Sequence, residues 1–181
     1  MNFRFNVTIT DQDYLNYNTF WMLRSPYGKK QMKSFRIAIT VFFIIASLVF
    51  LFIDGFSIVF VFEIIFLVIG FSLIQIFLPV FFSWTLRWQI KSLKKSGKMG
   101  YSPESTIEFY EDRLVETAPD NKTELKYSAV ERISVVDHKM IYIHVNNIMS
   151  YILPISCFES VEQYDSFLEF IRTKCANIDI Y

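Results

Sequence analysis

Residues 37–82 read IAITVFFIIASLVFLFIDGFSIVFVFEIIFLVIGFSLIQIFLPVFF, and in those 46 residues only Asp54 and Glu63 carry a charge. The first run, Ile37 to Ile53, has seventeen uncharged residues. As a helix it reaches about 25 Å, close to the thickness of a bilayer core. Asp54-Gly55 interrupts it, because a carboxylate resists hydrocarbon and glycine permits a reversal. The second run, Phe56 to Phe82, is 27 residues long. That is about 40 Å of helix, and the surplus goes either into tilt or into the turn. The reading is a two-helix transmembrane hairpin over residues 35–86, tightly linked at Asp54-Gly55. A cleaved leader fits poorly, since 36 polar, folded-looking residues precede the block and a second run follows the first.

Composition points the same way. The chain has 181 residues, is 52% hydrophobic and contains 20 Phe, and the apolar excess sits in this one block, which rules out a simple soluble globule. Cys157 and Cys175 are too few for a disulfide framework and suit a reducing compartment.

Charge orients the hairpin. Arg24, Lys29, Lys30, Lys33 and Arg36 precede it, Arg87, Lys91, Lys94, Lys95 and Lys98 follow it, and the connecting loop is acidic. Positive flanks stay inside, so the chain is expected in the cell membrane as a two-helix protein with both termini cytoplasmic. Trp84 and Trp88 would mark the inner interface. Residues 87–100 form a basic juxtamembrane linker in which Lys91, Lys94, Lys95 and Lys98 fall at i, i+3, i+4 and i+7. On a continued helix they share one face, either as an anionic-lipid contact or as the ordinary inside anchor of a membrane helix.

The net charge of zero conceals an uneven distribution. Residues 101–181 hold seven basic against fourteen acidic side chains, so the cytoplasmic domain gains nothing from a nucleic-acid backbone and nucleic acid is not an expected partner.

Asn2 to Thr10, NFRFNVTIT, alternates Phe3, Phe5, Val7 and Ile9 against polar residues, the pattern of a strand with one buried face. Thr10 or Asp11 can cap a helix starting near Gln12, which Ser25-Pro26-Tyr27-Gly28 would end. A lone strand in residues 1–34 needs a partner from the far end of the chain. Six short runs supply candidates: 106–110, 113–117, 123–127, 133–136, 140–144 and 151–153, with turn residues between them. Ser160-Val161-Glu162-Gln163 has the form of a capping box, and Val161, Tyr164, Phe167, Leu168 and Ile171 follow at helical spacing. The fold class expected is α+β: a transmembrane hairpin plus an antiparallel sheet over 101–181, closed by a C-terminal helix on the plan of pleckstrin-homology (PH)-like domains. That domain is small, so the N-terminal strand and its aromatics are expected to complete its core.

These elements resemble the YcxB-like family of bacterial membrane proteins. The resemblance is carried by Thr10-Asp11-Gln12-Asp13-Tyr14-Leu15 with Asn18, by Ser25-Pro26 before the hairpin, by Tyr127-Ser128-Ala129-Val130, and by Leu153-Pro154 with Phe158. Tyr127 stands where the family tends to have Trp, and Ile155-Ser156 where basic residues often follow the proline. The resemblance implies a membrane-anchored, PH-like cytoplasmic domain of the kind that serves as a binding platform, with no activity attached.

Candidate chemistry is sparse. Glu63 is the one acid inside an apolar run, either a functional intramembrane carboxylate or an interfacial structural one. Pro79 and Gly70 permit a kink or close packing in the second helix. His138 and His144 lack metal-ligand spacing to each other or to the cysteines, so no metal site and no cofactor is expected. Ser156, Cys157 and Ser160 form no nucleophile motif, and no glycine-rich phosphate loop is present. The expectation is a binding or regulatory module and not an enzyme. The alternative is a protective, immunity-type membrane protein acting through an oligomeric hairpin. Expected partners are membrane lipids, a membrane or cytoplasmic protein, and further copies of the chain as a homo-oligomer.

Overall fold

A computed structural model describes residues 2–97, 101–146 and 149–181. The chain divides into two compact units, residues 1–17 with 93–181, and residues 18–92.

The first unit is built on two four-stranded sheets. Strand β1 (Phe3–Thr8) pairs antiparallel with β2 (Glu104–Phe109), followed by β3 (Arg113–Ala118) and β4 (Asn121–Lys126) in the order β1-β2-β3-β4. The second sheet has the order β7-β6-β5-β8, from β5 (Arg132–Val136), β6 (Met140–His144), β7 (Ser150–Pro154) and β8 (Ile178–Ile180). The N-terminal strand thus finds its partner about a hundred residues away, in a register running from Phe3 opposite Phe109 to Thr8 opposite Glu104. Alternation decides which side chains go in: Phe5 and Val7 are buried while Arg4, Asn6 and Thr8 face out.

Helix α4 (Val161–Lys174) closes this core. Ser160 caps it, its hydroxyl accepting from the Gln163 amide at 3.2 Å, while the Gln163 side chain accepts from the Glu159 amide at 2.7 Å. Fully buried Phe167 meets Phe3, Phe5 and Phe109 edge to face at 5.4, 5.1 and 4.8 Å between ring centroids, joining α4 to the two strands that pair across the chain. The turn from β5 to β6 places Asp137 at φ 51° and His138 at φ 50°. Two successive positive φ values match the right-handed twist of a hairpin, and Asp and His tolerate them better than most residues.

Helix α1 (Asp11–Leu23) begins on a reciprocal cap. The Asp13 amide donates to Thr10 Oγ1 at 3.1 Å, and the Thr10 amide donates to the Asp13 carboxylate at 2.9 Å.

The second unit contains α2 (Pro26–Asp54) and α3 (Ile58–Lys95) up to Ser92. Both helices are long and apolar enough to cross a membrane, with mean hydropathy 2.7 and 2.6 over their most apolar windows. Three details differ from the sequence reading. Ser25-Pro26 does more than end α1: the Ser25 hydroxyl accepts from the Gly28 amide at 3.0 Å and Pro26 takes the first helical position, so α2 starts eleven residues before its apolar run. The link between the helices is Gly55-Phe56-Ser57 and not the two residues Asp54-Gly55, with Gly55 at φ 58° and the Ser57 hydroxyl accepting from the Phe60 amide at 3.2 Å. Strand β8 was not expected; it runs parallel to β5, with Ile178 opposite Ile133.

Candidate functional site

The basic end of α3 is where the sequence placed its lysine face. Lys91, Lys94 and Lys95 lie on the last turns of α3, and Lys98 falls outside the described residues. Lys94 Nζ stands 2.5 Å from the Asp11 carboxylate, and Tyr101 Oη donates to the other Asp11 oxygen at 2.9 Å. The Tyr14 and Tyr101 rings meet beside this contact at 4.6 Å between centroids, tilted by 30°. Helix polarity favours the arrangement: Asp11 sits at the positive N-terminus of α1, and Lys94 at the negative C-terminus of α3. The Lys94 ammonium and the Tyr101 hydroxyl hold the Asp11 carboxyl below the usual carboxylate range. Burial, reinforced by Asp11, pushes the Tyr101 hydroxyl up to about 12. Both ionic partners are about half exposed, so the pair positions the two helix ends more than it stabilises them. Lys91 and Lys95 remain exposed, without ionic partners among the described residues.

Glu63 lies in the second turn of α3, five residues beyond Ile58, with its carboxyl in hydrogen-bonding range of Asp54 at the end of α2. Its surroundings are therefore the hairpin tip. Gly70 packs near Phe43, whose ring lies 3.9 Å from where a Cβ would stand, and Pro79 lies inside the continuous helix.

A second polar cluster had not been anticipated. On one face of the β7-β6-β5 sheet, His144 is buried with Nδ1 2.8 Å from Ser150 Oγ and Nε2 3.1 Å from Ser134 Oγ. Tyr17 of α1 donates its hydroxyl to Ser150 at 2.9 Å, and its ring meets Tyr142 at 5.2 Å. With Tyr17 donating, the Ser150 proton is directed to Nδ1 and the ring carries its proton on Nε2, toward Ser134. Burial, with Arg132 nearby, lowers the imidazole to about 4. An imidazole so weakly basic is a poor activator of Ser150, and the chain acts as an internal strut between α1 and the sheet. Only the strand register, which pairs His144 with Ser150 on β7 and with Arg132 on β5, two residues before Ser134 and on the same face, reveals it. His138, by contrast, is exposed on the β5–β6 turn.

The two thiols are pushed upward by burial, Cys157 to about 11. Neither is an activated nucleophile. Among the described residues no three His, Cys, Asp or Glu side chains gather closely enough to hold a metal ion.

A family model described as YcxB-like protein matches residues 109–171, from the last residue of β2 into α4. No curated protein and no solved structure matches the chain. The matched stretch runs from the end of β2 through β7 and into α4, and over those residues the C-terminal region of this chain is similar to the YcxB-like family.

Proposed function

We propose that the chain is a cell-membrane protein whose α2–α3 hairpin anchors a PH-like cytoplasmic domain, and that this domain works as a binding or regulatory platform and not as an enzyme. The observation that carries the reading is the pairing of β1 with β2. The chain leaves the sheet at Thr8 and returns at Glu104, directly opposite, so everything between departs from and comes back to one place. A spanning segment inserted there must cross an even number of times, and two helices of spanning length occupy it.

Exposure supports the anchor. Phe52, Phe56 and Phe66 are 91%, 93% and 78% exposed, amid an apolar surface far larger than a soluble protein leaves in water. The helix register agrees with an inner interface. Phe35 meets Phe82 and Phe43 meets Phe71, which brings Lys33 and Arg36 level with Phe81 to Trp84. Cations and indoles at one height are the usual composition of a cytoplasmic boundary. The PH-like reading draws on strand order: four antiparallel strands, then three more, then the closing helix, with the hairpin inserted between the first two.

Photocrosslinkers at Glu162 and Asp165, exposed on α4, test the platform in membranes containing the whole chain. The reading expects a specific second protein in the adducts. Adducts containing only lipid or other copies of the chain would contradict it and favour a protective oligomer of hairpins.

A further inference from the structure

The core side of the β1-β2-β3-β4 sheet carries an acid. Register sets Glu116 opposite Ile107, as it sets Leu114 opposite Phe109, so Glu116 shares the face of the buried cluster and not that of the outer charges. Ser105 lies on the same face, two residues before Ile107 on β2 and opposite Val7 of β1. Two hydroxyls attend this carboxyl. That of Ser105 is close enough to favour the charged form, and the Glu116 charge acts in turn on the hydroxyl of Tyr151, which enters the same core from the other sheet. Ser105 is only 8% exposed and Tyr151 only 4%, yet neither hydroxyl has a hydrogen-bond partner in the protein. Buried hydroxyls are ordinarily satisfied, so two orphans at one carboxyl point to a group that completes them.

Charge narrows the choice. Burial pushes the Glu116 carboxyl up, and among the described residues no Lys, Arg or His forms an ion pair with it. An incoming cation relieves that penalty. Access comes from the β3–β4 side, where Glu116, Ala118 and Thr123, the last opposite Glu116, are each partly exposed. One carboxylate and two hydroxyls match the three N–H donors of an ammonium, and Val7 and Ala118 suit an apolar stem. A divalent metal ion, which wants about six oxygens, is poorly served.

We infer that this end of the sheet domain binds one alkylammonium group, its donors divided among Glu116, Ser105 and Tyr151 and its stem against Val7 and Ala118. The group belongs either to a small free amine or to a lysine side chain of a partner protein. Only the lysine source rests on the platform reading above.

Methyl NMR of the full chain in detergent tests it at Val7, Ile107 and Ala118, with n-butylammonium as the probe and n-butanol as its uncharged match. Saturable shifts at these methyls are expected with butylammonium, and half-saturation at about tenfold higher concentration with butanol, the factor that a charge-assisted hydrogen bond contributes. Equal half-saturation by the two probes in the unaltered protein would overturn the proposal without reference to any variant. Glu116→Gln should weaken butylammonium by a similar factor, whereas Glu124→Gln, on the outer face of β4, should leave it unchanged. Undiminished binding in Glu116→Gln would also overturn it. Nα-acetyl-lysine methylamide separates the sources: shifts that match those of butylammonium assign the site to a lysine side chain, and no shift where butylammonium binds assigns it to a free amine. Failure of the crosslinking above to capture a second protein defeats the platform reading and leaves the ammonium site standing.

Discussion

His144 shows what a single buried side chain contributes here. Its imidazole is held at about 4, against an ordinary value of 6.5, because burial and Arg132 disfavour the charged form. The unfolded chain therefore takes up a proton between those values that the folded chain refuses. The stability attached to the neutral ring is complete above about pH 6.5 and is lost as pH falls toward about 4, at roughly 1.4 kcal/mol per pH unit and on the order of 3 kcal/mol in all. Thermal unfolding of the whole chain in detergent should show a midpoint that falls from pH 7 to pH 5, and His144→Gln should flatten that slope. An unchanged slope in the variant would place the pH dependence elsewhere. The sequence marks His144 only by its lack of metal-ligand spacing, because its buried role depends on Ser134, Ser150 and Tyr17 converging on it. The continuation of α3 through Lys91, Lys94 and Lys95 was legible from their spacing. The pairing of Lys94 with Asp11 was not, since 83 residues separate Lys94 from that carboxylate.

At the scale of elements, local chemistry was the most readable part of the chain. The caps at Thr10 and Ser160 follow from residue type and spacing, and the alternation of Phe3, Phe5 and Val7 marks both the strand and its buried face. Serine and proline punctuate chains, so in sequence Ser25-Pro26 looks like a stop. The same two residues also suit an N-cap and first helical position, and the structure uses them so. Strand β8 escaped because three residues, Ile178-Asp179-Ile180, carry too little pattern to be told from a loop. The two helical glycines separate tight from loose packing. A Cβ on Gly28 would stand 2.2 Å from the Trp21 carbonyl oxygen and 2.3 Å from that of Met22, so the first turn of α2 needs glycine to lie against the end of α1. Gly28→Ala should destabilise by about 1–3 kcal/mol, the usual range for overpacking. Gly70→Ala meets only the Phe43 ring at 3.9 Å and should be close to neutral. Melting temperatures of the two variants, measured side by side, check the contrast, and equal losses would contradict it.

For the molecule as a whole, the apolar block made the two long apolar helices readable, because a bilayer imposes a length rule that acts on composition alone. The division of the strands into two sheets was not readable, since it depends on which edges meet. The consequence of placing the hairpin between β1 and β2 emerged only with the register, in which Thr8 faces Glu104. That insertion predicts a strict sidedness: the tip of the hairpin on one side of the membrane, and every strand of the sheet domain on the other. Cysteine labelling reads it directly. In a Cys157→Ser background, where the remaining native thiol is buried Cys175, Phe56→Cys places a thiol at the exposed tip and Asn121→Cys places one on the exposed start of β4. With a membrane-impermeant maleimide on intact cells, residue 56 should label and residue 121 should stay protected until the cells are permeabilised. Labelling of both positions in intact cells, or protection of residue 56 alongside residue 121, would contradict it.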